Sequence, residues 1–225
     1  MSGDPRDRPV WNALTGRQAA LTIADGPAVR FRHDIGIFAA TADSGAANLE
    51  ALARLAGGEP FAMLEAEAPP APPSYRQLSA KPCLQMVLDR PSPVPPPVPF
   101  VELTPEDGPT MLALALLTEP GPFKTNTYEL GGFIGIKQGG ALIAMAGQRL
   151  QPEGYVEVSG VCTHPDHRGQ GYAAALMTIV AQRILERGET PILHSYAANV
   201  AANALYERLG YRTRRELLLT MLAPL

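Results

Sequence analysis

The chain has 225 residues, of which 46% are hydrophobic and 18% charged, and its formal net charge is −3. This length is enough for one large domain or two small ones with a buried core. The charge balance lacks the basic excess that is typical of nucleic-acid-binding proteins. Two cysteines, Cys83 and Cys162, are too few for a disulfide framework or a zinc site, so we expect no metal.

No targeting or membrane segment is evident. The first residues, MSGDPRDRPVWNALTG, lack the apolar run of a signal peptide. No apolar run elsewhere is long enough to span a bilayer. We therefore expect a cytoplasmic protein without a membrane or nucleic-acid partner, either a monomer or a homodimer.

Proline marks the main boundary of the chain. Six prolines fall between residues 91 and 99, and such stretches favour a stiff, extended spacer. We predict a linker at residues 91–98 between an N-terminal α/β region, residues 1–90, and a C-terminal domain, residues 99–225. The N-terminal region has the same mixture of short strands and helices but no chemical motif. One hypothesis is that it is a separate unit and a degenerate copy of the C-terminal fold.

The C-terminal region gives a clear succession of elements. Apolar periodicity and turn residues predict, in chain order, a strand at 100–103, a helix after Thr104, a hairpin of strands 132–137 and 141–149, a strand at 155–163, a helix at 173–185, a strand at 192–196, a helix at 199–209 and a strand at 211–222. This order predicts a mixed sheet flanked by helices, an α/β or α+β architecture.

The turn between the strand at 155–163 and the following helix is the strongest chemical feature. Unpaired N–H groups and the helix dipole make a helix N-terminus a site for phosphate oxygens. Gly169 and Gly171 allow the backbone to approach a pyrophosphate, and Arg168 adds a cation. For the glycines alone, an ordinary strand-to-helix connection is the alternative interpretation.

Two motifs give the region a family resemblance. The segment RGQGYA at residues 168–173 matches the Arg/Gln-x-x-Gly-x-Gly/Ala signature with which GNAT N-acetyltransferases hold the pyrophosphate of acyl-CoA. The segment NVAANALYERLGY at residues 199–211 resembles that superfamily's Asn-x-x-Ala-x-x-Leu-Tyr-x-x-Leu-Gly-Phe helix. Residues 99–225 therefore resemble the GNAT superfamily, and the local pattern is similar to its glycine N-acyltransferase-like branch.

The resemblance implies a splayed central sheet and a site for acetyl-CoA. Its implied cofactor-binding residues are Val161, Cys162, Thr163, Arg168, Gly169, Gln170, Gly171, Tyr172, Ala173 and Asn199. The amides of residues 168–173 would hold the pyrophosphate. The backbone of Val161 and Thr163 would pair with the pantetheine arm, in a gap between the strands at 155–163 and 192–196.

The resemblance also implies catalytic groups. Tyr206 stands at the family's general-acid position, where it would protonate the departing thiolate. Strand alternation places Glu157, Ser159 and Val161 on one face, and part of the family uses a glutamate here as the base. The alternative for Glu157 is a surface carboxylate. We interpret His194 as a buried, hydrogen-bonded histidine.

The main functional hypothesis is direct acetyl transfer from acetyl-CoA to the primary amine of a small molecule or amino acid. The alternatives are a protein or peptide N-acetyltransferase and a non-catalytic acyl-CoA sensor. The loop at residues 123–129 is a candidate wall of the substrate site. Arg212, Arg214 and Arg215 are either a solvated strand rim or a set that recognises an acidic substrate.

Overall fold

Two β-sheets organise the chain, whose residues 3–88 and 98–225 are described by the computed structural model. The helices of this part are α1 (Pro9–Leu14), α2 (Ala46–Ala56), α3 (Gly108–Thr118), α4 (Tyr172–Glu186) and α5 (Val200–Arg208). Its strands are β1 (Thr22–Asp25), β2 (Ala28–Phe31), β3 (Ala39–Thr41), β4 (Phe61–Glu65), β5 (Tyr75–Leu88), β6 (Val101–Glu102), β7 (Ile134–Gln138), β8 (Ala141–Gln148), β9 (Tyr155–Thr163), β10 (Thr190–Tyr196) and β11 (Tyr211–Pro224). Except for Val98, the predicted linker at 91–98 lies outside the described residues. Within the described ranges, no helix combines the length and the apolar character needed to cross a bilayer.

The larger sheet has eight strands in the order β4-β11-β5-β10-β9-β8-β7-β6. It is mixed, because β9 and β10 pair in parallel whereas its other neighbours are antiparallel. The amphipathic α4 buries Leu176, Val180 and Ile184 in one core cluster with residues of β8 and β9. The helix α3 packs through Met111 and Leu114 into another cluster. The predicted mixed sheet flanked by helices is confirmed.

The structure differs from the predicted division at residue 91, because strands of the N-terminal region complete the larger sheet. The strand β5 lies between β10 and β11, and β4 pairs with the outer side of β11. The β5–β11 ladder runs from the pair Tyr75↔Pro224 to the pair Leu88↔Tyr211. Among the described residues, β1, β2 and β3 form a second, smaller sheet. The prolines indicate only that the chain is locally stiff. They do not indicate which strands pair, because strand pairing joins residues far apart in sequence. The idea of a degenerate copy stays a hypothesis.

The strands β9 and β10 separate after a short parallel ladder. Three residue pairs join them, and the last is Ile192↔Glu157. Beyond it, β10 continues along β5 to Tyr196, and β9 continues along β8 to Thr163. The register of β9 against β8 shifts in this stretch, where Gly160 has a φ of +63°. A Cβ there would lie 2.8 Å from the ring of Phe133. This bulge needs glycine, and the implied splayed sheet is present.

The position of β5 predicts that the C-terminal fragment, residues 99–225, does not fold alone. Without β5, both β10 and β11 lose their shared neighbour, and Met86, which is fully buried, is missing from the core. We expect the fragment to lack near-ultraviolet circular dichroism and a cooperative urea transition, both measured beside the full chain. A fragment with a sharp transition at the midpoint of the full chain would contradict this.

Candidate active site

The gap between β9 and β10 opens into a cavity of about 630 Å³, within the size range of small-molecule and cofactor sites. Its walls are the end of β9, the turn at residues 167–171, the first residues of α4 and one side of α5. Of the predicted cofactor-binding residues, every one lines this cavity. The fold therefore brings together groups from positions 161 to 199.

Unpaired amides form one wall of the cavity. The N–H of Ala175 donates to the carbonyl of Gly171 (3.0 Å) as the first bond of α4. The six preceding N–H groups, residues 169–174, have no partner within the described part of the chain. Gly169 and Gly171 have φ values of +78° and +77°, and no atom lies within 4 Å of a Cβ built on either. This wall is an open cradle for an anion.

The cradle begins one residue later than predicted. The N–H of Arg168 donates to the carbonyl of Pro165 (3.3 Å), so that amide is already engaged in the turn. Ala174, which the motif does not include, contributes an unpaired N–H instead. The N–H of Ala174 could have been included from the sequence, because the first turn of a helix leaves its N–H groups unpaired. The side chain of Arg168 is exposed at the rim.

The end of β9 presents a free backbone edge to the gap. The N–H of His164 donates to the carbonyl of Ile143 (2.8 Å) on β8. Because successive strand residues direct their backbone groups to opposite sides, Val161 and Thr163 direct theirs into the gap. The Cys162 side chain instead lies in the α3 core cluster. Burial raises the pKa of this thiol to about 11, so it is a neutral core group.

Tyr206 and Asn199 lie where this cavity meets a second one. The second cavity, of about 110 Å³, also has Val161, Asn199 and Tyr206 in its wall. Asn199 caps α5, since its side-chain oxygen accepts from the N–H of Ala202 (3.4 Å). Burial raises the pKa of Tyr206 above its ordinary value. The hydroxyl is therefore protonated at neutral pH and can serve as an acid.

The walls of the second cavity come from both regions of the sequence. Cys83 is supplied by β5, and residues 120–122 are supplied by the loop after α3. The predicted wall at residues 123–129 lies just beyond. Phe123 and Thr127 line a small neighbouring cavity, which shares Arg149 and Ser159 with the second one.

Glu157 occupies neither of the environments that the sequence suggested. Its side chain is fully buried, and it does not line either cavity. It accepts from Nε and Nη2 of Arg149 (2.9 and 2.6 Å) and from the N–H of Leu150 (3.2 Å), and it bonds Nδ1 of His194 (2.8 Å). Burial acts to raise the pKa of Glu157, but the charge of Arg149 and the bond with His194 outweigh it and hold the pKa well below its usual range. A carboxylate that is so depressed and so fully bonded is a weak proton acceptor.

The hydrogen bonds of Gln85 assign the tautomer of His194. The Gln85 side-chain oxygen accepts from Arg214 Nη1 (2.9 Å), so its Nε2 faces Nε2 of His194 (3.0 Å) and donates to it. His194 Nε2 then accepts this bond, and its Nδ1–H is directed at Glu157. This agrees with the interpretation of a buried, satisfied histidine. Arg149 and Gln85 were missed by the sequence analysis because neither belongs to a motif.

Two of the arginines considered for substrate recognition are engaged elsewhere. Arg214 and Arg215 form ion pairs with Asp7 (2.7 and 2.8 Å), and Arg214 also pairs with Asp4 (3.0 Å). These contacts dock the N-terminal segment on β11. Neither Arg214 nor Arg215 lines either cavity.

The FR47-like protein family matches residues 133–219. A solved GNAT-family acetyltransferase from Novosphingobium aromaticivorans is 42% identical over 99% of each chain, with a TM-score of 0.90. The chain belongs to the GNAT family of acetyltransferases.

More distant structures share the fold. A GCN5-related N-acetyltransferase from Kribbella flavida is 20% identical over 95% of each chain, with a TM-score of 0.62. A GCN5-related N-acetyltransferase-like protein from Streptococcus suis is 16% identical over 97% of this chain and 94% of its own, with a TM-score of 0.63. No curated protein matches the chain. Assignment to the glycine N-acyltransferase branch stays a prediction.

The burial of Glu157 generates a prediction about stability and pH. Glu157→Gln leaves Arg149 buried without its anion, so we expect the free energy of unfolding to fall by about 3–5 kcal/mol at neutral pH. The pKa of Glu157 is lower in the folded protein than in the unfolded chain, where it is about 4.3. Ionised Glu157 therefore stabilises the fold above this pH, and the stabilisation is lost as the pH falls below it. The difference in the free energy of unfolding between wild type and Glu157→Gln, measured by urea titration, should therefore become smaller below about pH 4.

The matched control is Glu102→Gln. Glu102 pairs with Arg183 (2.6 Å) but its side chain is 61% exposed, so its loss should change the stability by no more than about 1 kcal/mol. Equal effects of the two substitutions, or a Glu157 effect that is unchanged at acidic pH, would refute the structural role assigned to Glu157.

Proposed function

We propose that this GNAT-family protein transfers an acetyl group from acetyl-CoA directly to a primary amine of a small molecule or amino acid. One observation carries the proposal: a cavity of about 630 Å³ joins unpaired helix amides, a free strand edge and a protonated tyrosine. These three groups match the pyrophosphate, the pantetheine amides and the thioester sulfur of one extended molecule.

The residues present fit acetyl-CoA. The amides of residues 169–174 would hold its pyrophosphate, because they are unpaired and their helix dipole favours an anion. The backbone of Val161 and Thr163 would bond the pantetheine amides in the way that a further strand does. Acetyl-CoA, when bound, supplies the activated acyl group as a thioester.

The proposed reaction needs two proton movements. The neutral amine nitrogen attacks the thioester carbonyl carbon, and the C–S bond breaks as the new C–N bond is completed. The Tyr206 hydroxyl gives its proton to the leaving sulfur and regains one from solvent. The proton that the amine loses passes to water in the second cavity, because Glu157 is buried behind the wall and is bonded by Arg149 and His194.

The size of the second cavity bears on the acceptor. The second cavity, of about 110 Å³, is far smaller than the neighbouring cavity of about 630 Å³. This favours a small amine over a side chain presented by a folded protein. If the protein instead acetylates proteins or peptides, the acceptor in this cavity would be a peptide N-terminus.

The test is an assay of CoA release with acetyl-CoA and a panel of amines. The panel contains amino acids, simple aliphatic amines, and peptides with a free N-terminus or lysine, and mass spectrometry identifies the product. Turnover of small amines supports the proposal. Turnover of peptides alone supports the protein-directed alternative, and tight acetyl-CoA binding with no release on any amine supports a sensor.

The cradle predicts that Gly171→Asp abolishes acetyl-CoA binding. The substitution places a carboxylate among the amides that would hold the pyrophosphate, so calorimetry should show affinity reduced by at least about 100-fold. Gly188→Asp is the matched control, because Gly188 has a similar φ of +75° and equally open surroundings but lies past the far end of α4. If the two variants bind acetyl-CoA with comparable affinity, the pyrophosphate does not bind at this wall.

The position of Tyr206 predicts that Tyr206→Phe lowers kcat by on the order of 10²-fold, the scale of a lost general acid, with acetyl-CoA affinity little changed. The control is Tyr211→Phe. Tyr211 packs edge-to-face against Tyr206 with 6.5 Å between ring centroids, and its own buried hydroxyl has no partner in the described part of the chain. Stopped-flow rates under single-turnover conditions separate the chemical step from product release. A wild-type rate in Tyr206→Phe would exclude this tyrosine as the acid.

A further inference from the structure

Arg149 holds its buried partner with only one edge of its guanidinium. The Nε and Nη2 atoms donate to the two oxygens of Glu157 at 2.9 and 2.6 Å. The other edge, formed by Nη1 and the second N–H of Nη2, has no acceptor among the described residues. A guanidinium presents two parallel N–H groups on this outer edge, the arrangement that matches the two oxygens of a carboxylate.

The position of this edge is defined by its neighbours. The guanidinium carbon lies 4.9 Å from the centre of the Phe38 ring, so a cation–π contact holds the group in addition to Glu157. Nη1 lies 3.9 Å from where a Cβ on Gly121 would be. Gly121 and Arg149 both line the second cavity, and 13% of the Arg149 side chain is exposed. The free edge is thus fixed and accessible from the cavity.

The charge of this cavity wall is one-sided. Arg149 contributes a cation, and the wall contains no aspartate or glutamate within the described chain. Glu157 is fully buried and does not line this cavity. Such a wall does not attract an acceptor whose sole charge is an ammonium group. It favours an acceptor that also carries an anion.

We propose that Arg149 recognises the acceptor by its carboxylate, so that the amine substrate is a small amino acid or another amino carboxylate. The inference rests on the proposed acetyl transfer and names its substrate class. A carboxylate bonded to the free edge of Arg149 would leave the amine directed towards Val161 and Tyr206, which line the same small cavity. Glu157 is then a positioning residue, which acts by orienting Arg149.

The test compares acceptors that differ only in the anion. For alanine and alaninamide, kcat/KM is measured in the wild type and in Arg149→Gln/Glu157→Gln, a double variant that avoids leaving either buried charge alone. We expect the ratio of alanine to alaninamide to fall by about tenfold or more in the double variant, mainly through KM for alanine. Comparing the ratio between proteins cancels the difference in amine basicity. β-Alanine and O-phosphoethanolamine separate a carboxylate from a phosphate in the same way.

Two further variants serve as controls. Arg183→Gln/Glu102→Gln removes an exposed pair of the same chemistry and should leave the ratio unchanged. Arg149→Lys keeps the charge but not the fork, and should lower the ratio less than the double variant does. If circular dichroism shows that the double variant does not fold, the alanine-to-alaninamide ratio of Arg149→Lys provides the test.

The outcomes separate this inference from the proposed function. If amines are acetylated with the same alanine-to-alaninamide ratio in wild type and both Arg149 variants, or if phosphoethanolamine is the preferred acceptor, the inference fails and acetyl transfer stands. If no amine releases CoA, acetyl transfer fails, and calorimetric titration of alanine in the presence of CoA decides about Arg149. Binding that is lost in the variants supports the carboxylate site, and absent or unchanged binding overturns it.

Discussion

Three residue pairs join β9 to β10, and the site depends on the parting of these strands beyond the third pair. A continuous parallel ladder would satisfy the backbone groups of both strands and leave no space between them. Instead, β9 follows β8 through a bulge at Gly160, and β10 follows β5. The released edges line two connected cavities, and α4 begins at the mouth of the larger one with its amides unpaired. One interruption of a sheet thus creates the strand edge, the cavities and the access to the helix terminus.

A chain of buried and partly buried polar groups crosses the sheet near the point where the strands part. It runs from Arg149 through Glu157, His194 and Gln85 to Arg214. Its members come from β9, β10, β5 and β11, and from the residue that follows β8. Arg214 lies at a register shift in β11, which gives the ladder an extra residue there. Buried charges of this kind are costly unless every partner is present. Their value here is geometric, because they hold the guanidinium of Arg149 in one orientation at the cavity wall.

The N-terminal region therefore has a part in the site. It supplies β5, whose Gln85 orients His194 and whose Cys83 lines the second cavity. Asp7 docks the N-terminal segment against Arg214 and Arg215. Residues on both sides of the proline-rich stretch thus build the second cavity, whereas the motifs of the C-terminal region lie at the larger one.

The sequence by itself determined the features that depend on neighbours within a few residues. The order of the C-terminal strands and helices follows from local periodicity, the amide cradle from the start of a helix, and the place of Tyr206 from a motif on one helix. Only the tertiary structure decided the burial of Glu157, the orientation of Arg149 and the place of β5. These depend on contacts such as Gln85 with His194, 109 residues apart, and Gln85 with Arg214, 129 residues apart. No local pattern encodes such pairs, because a strand's alternation specifies which side chains share a face but not which strand will lie beside it.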